Sequence, residues 1–221
     1  MNKESVLERL EEAGFKAYLV GGCLRDEIMG NISSDVDIAT SARPDDVKEV
    51  FKDFTLVDIG KKFGTIKIIS GPEEYEITTL RSDSIYLDKR RPVGVAFTDD
   101  IYEDLARRDF TINAMAKRGG EIIDPFGGRA DIKRKIIRAV GDPKERIEED
   151  YLRALRAVRF ATCLDFTIEE SLKQAIKEKQ GNIEFISKER ITSEINKILL
   201  ADNPVYGLSL IHISEPTRPA A

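Results

Sequence analysis

The stretch AYLVGGCLRDEIMG, residues 17–30, constrains the fold more than any other part of the chain. Four residues suited to a buried strand run straight into Gly21-Gly22 and then into a helical segment closed by Gly30. A second strand, DVDIAT, follows at 35–40. Residues two apart on a strand share a face, so the carboxylates of Asp35 and Asp37 emerge together while Val36 and Ile38 turn to a core. Two carboxylates on one face repel unless a cation lies between them, and their hard oxygen donors suit Mg²⁺. Alone, such a pair is also an ordinary solvated strand end. The Gly21-Gly22 turn offers amides at a helix N-terminus that suit a phosphate, and Arg25, one turn on, can add a charge-assisted clamp. Turns need glycine in any case, so these two positions leave both readings open.

The remaining pattern splits the chain. Residues 2–13 form an amphipathic helix with Val6, Leu7 and Leu10 on one stripe, ended by Gly14. Arg43-Pro44-Asp45-Asp46 opens a helix running to about Phe54. GTIKIIS (64–70) and EEYEITTL (73–80) flank Gly71-Pro72 as a hairpin. Residues 81–98, polar and rich in Arg and Asp, form a long loop expected to be mobile. A helix near Asp99–Ala106 and a short strand at 121–124 follow. From about 130 to 200 the pattern is helical, apart from IIRAV (136–140) and the Gly141-Asp142-Pro143 turn. The expectation is therefore an α+β head over residues 1–128 and an all-helical neck over 129–204. Residues 205–221, VYGLSLIHISEPTRPAA, break with that pattern; SLIHISEPTRP is similar to a translated sequencing adapter, and the tail is expected to be non-native or disordered.

Composition narrows the chemistry. The net charge of −5 disfavours nucleic-acid binding through bulk charge. No apolar run reaches membrane-spanning length and the N-terminus is an acidic amphipathic helix, so no membrane association and a cytoplasmic location are expected. Cys23 and Cys163 lie far apart without CxxC spacing, which excludes a disulfide framework and a thiolate zinc site. The one histidine, His212, nearly excludes a histidine triad or a multi-histidine metal site. Chemistry must then run on carboxylates, arginines, backbone amides and a hard metal ion.

Three further groups fit that chemistry. On YEITTL, Glu74, Glu76 and Thr78 alternate with Tyr75, Ile77 and Thr79. Were this strand beside 35–40, Glu76 could complete a carboxylate triad for a two-metal site; alone it is a surface residue. Arg107-Arg108-Asp109-Phe110-Thr111-Ile112-Asn113 mixes charges around an apolar residue, as a site for a triphosphate and a sugar hydroxyl would, or as a solvated charge pair. On a helix beginning at Glu149, Asp150, Arg153, Arg156 and Arg159 recur every three residues and sweep one half of its surface. Asp150 and Arg153 together match the edge of a base, and the alternative is a solvated arginine face paired with Glu148 and Glu149.

Taken together, LVGGCLRDEIMG, DVDIAT, YEITTLR, YLDKRRP, IYEDLARRDFTINAMAK, IIDPFGG and EEDYLRALRAVRF resemble the class II tRNA nucleotidyltransferases, the bacterial CCA-adding enzymes and the related poly(A) polymerases. The resemblance covers residues 14–204 in unbroken order. It implies a polymerase-β-like nucleotidyltransferase head and a helical neck. It also implies that Asp35 and Asp37 bind a catalytic Mg²⁺, with Glu76 as the third head carboxylate, and that Gly21, Gly22 and Arg25 hold the incoming triphosphate. Arg108, Asp109 and Asn113 would recognise ribose and triphosphate. Asp150 and Arg153 would read the Watson–Crick edges of CTP and ATP, with Arg156 and Arg159 as further nucleotide contacts. Ser187, Glu189, Arg190 and Glu194 match a last motif that steadies the neck. The implied activity adds C and A to the 3′ end of tRNA with release of pyrophosphate, without an obligate protein partner. An A-adding or CC-adding specialist and a poly(A) polymerase on the same scaffold are alternatives; an inactive truncated nucleotide- or RNA-binding fragment is one of another class, since the family's body and tail domains are not expected in this length of sequence. The absence of GxGxxG disfavours a dinucleotide-binding domain.

Overall fold

A computed structural model describes residues 1–33, 35–60, 64–82, 96–179, 183–184 and 186–211. The chain divides into two units, Met1–Arg108 with Asn113–Gly128, and Asp109–Ile112 with Arg129–Ala221.

The first unit is built on a sheet. Helix α1 (Lys3–Glu12) starts where the Asn2 side chain accepts from the Ser5 amide, and it buries Val6 and Leu10, one turn apart. Strand β1 (Ala17–Val20) runs directly into α2 (Gly21–Ile28), then come β2 (Val36–Thr40) and α3 (Pro44–Val50). Helix α3 is shorter than the sequence suggests. Its first turn is set by Asp46, whose carboxylate accepts from the Arg43 amide, and the chain leaves it at Phe51 to form β3 (Thr55–Gly60), which the sequence reading missed. Strands β4 (Thr65–Ser70) and β5 (Glu73–Thr79) form the expected hairpin. After β6 (Arg81–Ser82), β7 (Ala96–Phe97) and α4 (Ile101–Ala106), strands β8 (Ala116–Arg118) and β9 (Glu121–Ile123) complete the sheet. Its order is β3-β4-β5-β2-β1-β8-β9, with β2 and β5 parallel and every other neighbouring pair antiparallel. One face packs Ile38, Ile66, Ile68, Tyr75 and Ile77 beneath α1 and α3. On the other, Tyr18, Val20 and Ala39 pack with Ile101 and Leu105 of α4. Arg81 and Ser82 pair with Phe97 and Ala96, so the two ends of the expected 81–98 loop meet; its 83–95 portion, and with it the expected mobility, lies outside the described residues.

The second unit is mainly helical, and not all-helical as expected, because IIRAV supplies one strand of a short parallel pair. Helix α5 (Gly128–Arg134) leads to β10 (Ile136–Ile137), which pairs in parallel with β11 (Thr167–Ile168). Between them lie α6 (Pro143–Glu149), capped by the Asp142 carboxylate, and α7 (Leu152–Leu164), and beyond them α8 (Glu170–Glu178) and α9 (Lys188–Leu199). The short stretch 109–112 is stitched to residues 138–140, the Thr111 amide donating to the Arg138 carbonyl and the Val140 amide to the Asp109 carbonyl. Phe110 meets Phe160 of α7 edge to face at 5.7 Å.

Two expectations change here. The single helix through 149–160 is broken: Asp150 is extended (φ −153°, ψ 102°) and its carboxylate accepts from the Leu152 amide at 3.1 Å, starting α7 afresh. A short acidic side chain competes for the local amides, which is why Asp opens helices more readily than it continues them. The tail is helical as far as Ile211: α10 (Pro204–Ile211) packs on α7 and α9, where Gly207 lies against Ile198 and Thr162. Residues 212–221, including His212, lie outside the described residues. Among the described residues no helix is long and apolar enough to cross a membrane.

Candidate active site

In the sheet unit the site grows out of strand register. Asp37 of β2 stands directly beside Glu76 of β5, the arrangement on which the reading of Glu76 depended. Both alternate with core residues, Ile38 and Ile77, so burying one face delivers the two carboxylates to the other. Asp35 sits just before β2, exposed, and its carbonyl accepts from the Ser33 hydroxyl. Behind Asp37 the Cys23 thiol donates to the Val20 carbonyl at 3.0 Å and accepts from the Asp37 amide at 3.4 Å. Burial pushes that thiol up to about 11, so it is held as a protonated, free cysteine.

The Asp37 carboxyl is raised above its ordinary value, first by burial and then by the charges of Glu76 and Asp35, with Arg108 and Arg25 acting against them. An ionised Asp37 here calls for a cation. Among the described residues, no three acidic, histidine or cysteine side chains converge closely enough to hold a metal ion. Glu76 is instead turned to Lys67, 3.4 Å away, which also pairs with Glu74 at 2.7 Å. The donor set of hard carboxylate oxygens still fits a divalent cation better than any softer metal.

Gly21 is required on two counts. Its φ is +71°, and a Cβ there would lie 3.0 Å from Asp37 Oδ2 and 3.4 Å from Arg108 Nη1. Helix α2 begins at this residue with no side chain capping its first turn. Arg25, buried in α2, donates from Nη1 to Asn113 Oδ1 at 2.9 Å and pairs with Asp26 at 2.7 Å; its guanidinium lies over Gly22. Arg108 donates to the Asn113 carbonyl and pairs with Asp104 at 2.9 Å. Asp104 is 1% exposed and is shared with Arg107 and with the Arg81 amide. Burial alone would raise its carboxyl, but the two arginines outweigh burial and lower it. Arg81, whose Nε is buried without a hydrogen-bond partner among the described residues, is pushed down to about 10 by burial and by Arg107. Asp104 and Arg81 escaped the sequence reading, although the three- and four-residue spacing of Asp104 to Arg107 and Arg108 was a usable signal.

In the helical unit, ion pairs place the charged groups. Asp109, only 9% exposed, meets Arg156 through Nε at 2.7 Å and Nη2 at 2.5 Å. Burial would raise the Asp109 carboxyl, yet the guanidinium and the Phe110 amide hold it below the ordinary range. Arg159 pairs with Glu194 of α9 at 2.6 Å and stacks on Phe160, its Cζ 3.9 Å from the ring centre. Asp150 and Arg153 meet through the backbone, the Arg153 amide donating to the Asp150 carbonyl at 3.0 Å, while their side chains take separate partners. Asp150 Oδ2 pairs with Arg190 of α9 at 2.6 Å, and Arg153 Nη1 donates to the Arg146 carbonyl at 2.8 Å and to Glu149. Arg190 and Glu194, from the last sequence motif, are thus partners of residues on the α6–α7 segment. Ser187 precedes α9 without a side-chain cap bond and Glu189 lies exposed in its first turn.

Known proteins share this plan. A family model described as "Poly A polymerase head domain" matches residues 17–138, more than half of the chain, and one described as "Probable RNA and SrmB- binding site of polymerase A" matches 165–213. The CCA-adding enzyme of Limosilactobacillus reuteri (strain DSM 20016) is 50% identical over 204 residues, covering 92% of this chain and 50% of its own. The crystal structure of the Bacillus stearothermophilus CCA-adding enzyme in complex with CTP superposes with a TM-score of 0.86 at 41% identity, over 94% of this chain and 50% of that one. A tRNA nucleotidyltransferase complexed with a primer tRNA and an incoming ATP analogue gives 0.77 at 33% identity, over 94% and 59%. The chain spans about half the length of the curated relatives it matches. With the α+β unit, the helical unit and the matched sequence in agreement, the chain belongs to the poly A polymerase head-domain family.

Proposed function

We propose that this chain carries the catalytic and nucleotide-selecting part of a template-independent nucleotidyltransferase, adding C and A to the 3′ end of tRNA from CTP and ATP. The observation that carries the reading is the parallel register that sets Asp37 beside Glu76, with Gly21 beneath and Arg108 alongside. Asp35 and Asp37 are the residues that would hold a divalent cation, Mg²⁺ by the hardness of the donors. Such an ion, when bound, acidifies a coordinated hydroxyl and neutralises phosphate charge. In the proposed reaction the RNA 3′-hydroxyl would give up its proton to solvent as its oxygen bonds to the α-phosphorus, the bond from that phosphorus to the bridging oxygen would break, and pyrophosphate would leave. Arg25 and Arg108, with the uncapped first turn of α2, present donors and positive charge suited to a triphosphate. With no histidine among these residues, the contribution of the chain is electrostatic and positional.

Base choice falls to the helical unit. Cytosine and adenine each present an amine donor beside a ring-nitrogen acceptor, which a carboxylate and a guanidinium can complement. Asp150 would accept from the amine and Arg153 donate to the ring nitrogen. Uracil and guanine reverse the pattern, and each mismatch leaves a buried polar group unpaired at roughly 1–3 kcal/mol.

Incubating the chain with tRNA lacking its 3′ end, Mg²⁺ and each labelled nucleotide singly tests the reading by product length. Short extension with C and A but not with U or G supports it. A long A ladder favours the poly(A) polymerase reading instead. Binding of neither CTP nor ATP, with no product, overturns it.

A further inference from the structure

Arg146 lies on α6, outside every group the sequence singled out, and its surroundings are costly. Its Nη2 meets Glu149 Oε1 at 2.8 Å, while Nε and Nη1 are buried with no hydrogen-bond partner among the described residues. Taking a guanidinium out of water with donors unsatisfied disfavours the folded state, and a well-packed apolar side chain would serve stability better. A residue kept on such terms is best explained by what it touches.

It touches Arg153 by two routes. The Arg146 carbonyl accepts from Arg153 Nη1 at 2.8 Å, and the same Nη1 donates to Glu149, the carboxylate that the Arg146 side chain holds through its other oxygen. Arg146 and Glu149 are one turn apart on α6, whereas Arg153 belongs to α7, beyond the break at Asp150. The side chains are only 13%, 24% and 17% exposed for Arg146, Glu149 and Arg153, so solvent does little to loosen the arrangement. One helix therefore fixes the orientation of a guanidinium carried by the next.

We infer that Arg146 is a positioning residue for nucleotide selection, aiming the Arg153 guanidinium by way of Glu149. This rests on the reading that Arg153 contacts the base. A guanidinium can point its planar donor fork correctly only if its rotation is stopped, and a bond to Glu149 stops it only if Glu149 is itself fixed. Arg146 supplies that fixing.

The test is calorimetric titration of the chain with CTP and with UTP, for wild type, Arg146→Met, Arg146→Lys and Arg153→Ala. Loss of one charge-assisted link should lower the CTP-over-UTP preference of Arg146→Met about tenfold. Arg146→Lys, which can still reach Glu149 with one charged donor, should keep most of the preference, a rescue that a mere packing role would not give. Arg153→Ala should abolish it. Undiminished preference in Arg146→Met beside a collapse in Arg153→Ala overturns the inference and spares the base-reading assignment. Undiminished preference in Arg153→Ala overturns the assignment itself and the inference with it. A second readout needs no nucleotide: the Arg153 Nε–H signal should exchange faster with water in Arg146→Met than in wild type, and an unchanged rate overturns the inference. Should Arg146→Met fail to fold, Glu149→Gln, which keeps the shape and removes the charge, must lose the same preference; full discrimination in that variant is equally fatal.

Discussion

In the sheet unit Asp37 and Glu76 stand side by side because two strands pair in parallel, with Ile38 opposite Ile77 in the core beneath them. In the helical unit no such ladder places Arg153, Arg156 or Arg159; each is held by a carboxylate, from Glu149, Asp109 and Glu194 in turn. The difference is one of what must fail before the geometry changes. Moving Asp37 relative to Glu76 needs a register slip that would expose a whole row of core residues. Loosening one of the arginines needs the loss of a carboxylate and of one or two local contacts, such as the Arg146 carbonyl at Arg153 or the Phe160 ring at Arg156 and Arg159. Substitutions at the first site should therefore separate function from stability, and those at the second should join them.

The largest expected effect is at Asp37. If Asp37 holds the cation as proposed, Asp37→Asn should lower nucleotide incorporation on the order of a thousandfold, because a hard ligand and its charge would be gone. The thermal midpoint should hold or rise, because a buried charge facing Glu76 and Asp35 has been removed. A matching loss of both activity and midpoint would break the comparison. Next comes Arg156→Met, which leaves Asp109 buried without its guanidinium and should cost about 3 kcal/mol in urea unfolding at neutral pH. The Asp109 carboxyl lies below its ordinary 3.8 in the folded state, so the pair contributes fully above that value and is lost as pH falls through the lower folded value. Unfolding curves of variant and wild type should converge in acid; a constant gap down to the acid limit would speak against an ionic origin. Gly207→Ala, whose Cβ would come within 2.5 Å of Ile198 and Thr162, should cost about 1–2 kcal/mol by overpacking. No loss would mean that α10 contributes little to its unit. The smallest effect belongs to Arg190→Ala: with side chains 52% and 35% exposed, its pair with Asp150 should contribute under about 0.5 kcal/mol, measured by the same unfolding curves.

The two units also differed in how far they could be read in advance. Alternation along 35–40 and 73–80 announced which face each carboxylate would take, and only the pairing of the strands had to be supplied by the fold. The edge strand Thr55–Gly60 was missed because TLVDIG is a short run whose pairing with β4 is decided by the fold and not by local pattern. In the helical unit, EEDYLRALR reads as continuous helix because helix formers surround Asp150, and the side-chain turn from Asp150 to the Leu152 amide is a local competition that periodicity does not register. Ionic partners were least legible. Arg156 finds Asp109 forty-seven residues away and Arg190 finds Asp150 forty residues away, distances over which a sequence gives no local cue. VYGLSLI read as a tail because of the prolines, the histidine and the adapter-like SLIHISEPTRP that follow it, although Pro204 is a fair helix opener; only the fold shows Gly207 as a point of close approach.

Arg108 and Asp109 are neighbours in sequence yet belong to different units, and the chain returns at Asn113 after only four residues. Neither unit is therefore a continuous length of polypeptide. A gene cut at residue 128 would strip the helical half of Asp109, Phe110 and Thr111, removing the partners of Arg156, Phe160 and Asp131 at once. During synthesis from the ribosome the same four residues emerge well before α7 exists to receive them. Any chimaera that exchanges the helical half between relatives must carry this short insert along with it, or leave Arg156 without its carboxylate.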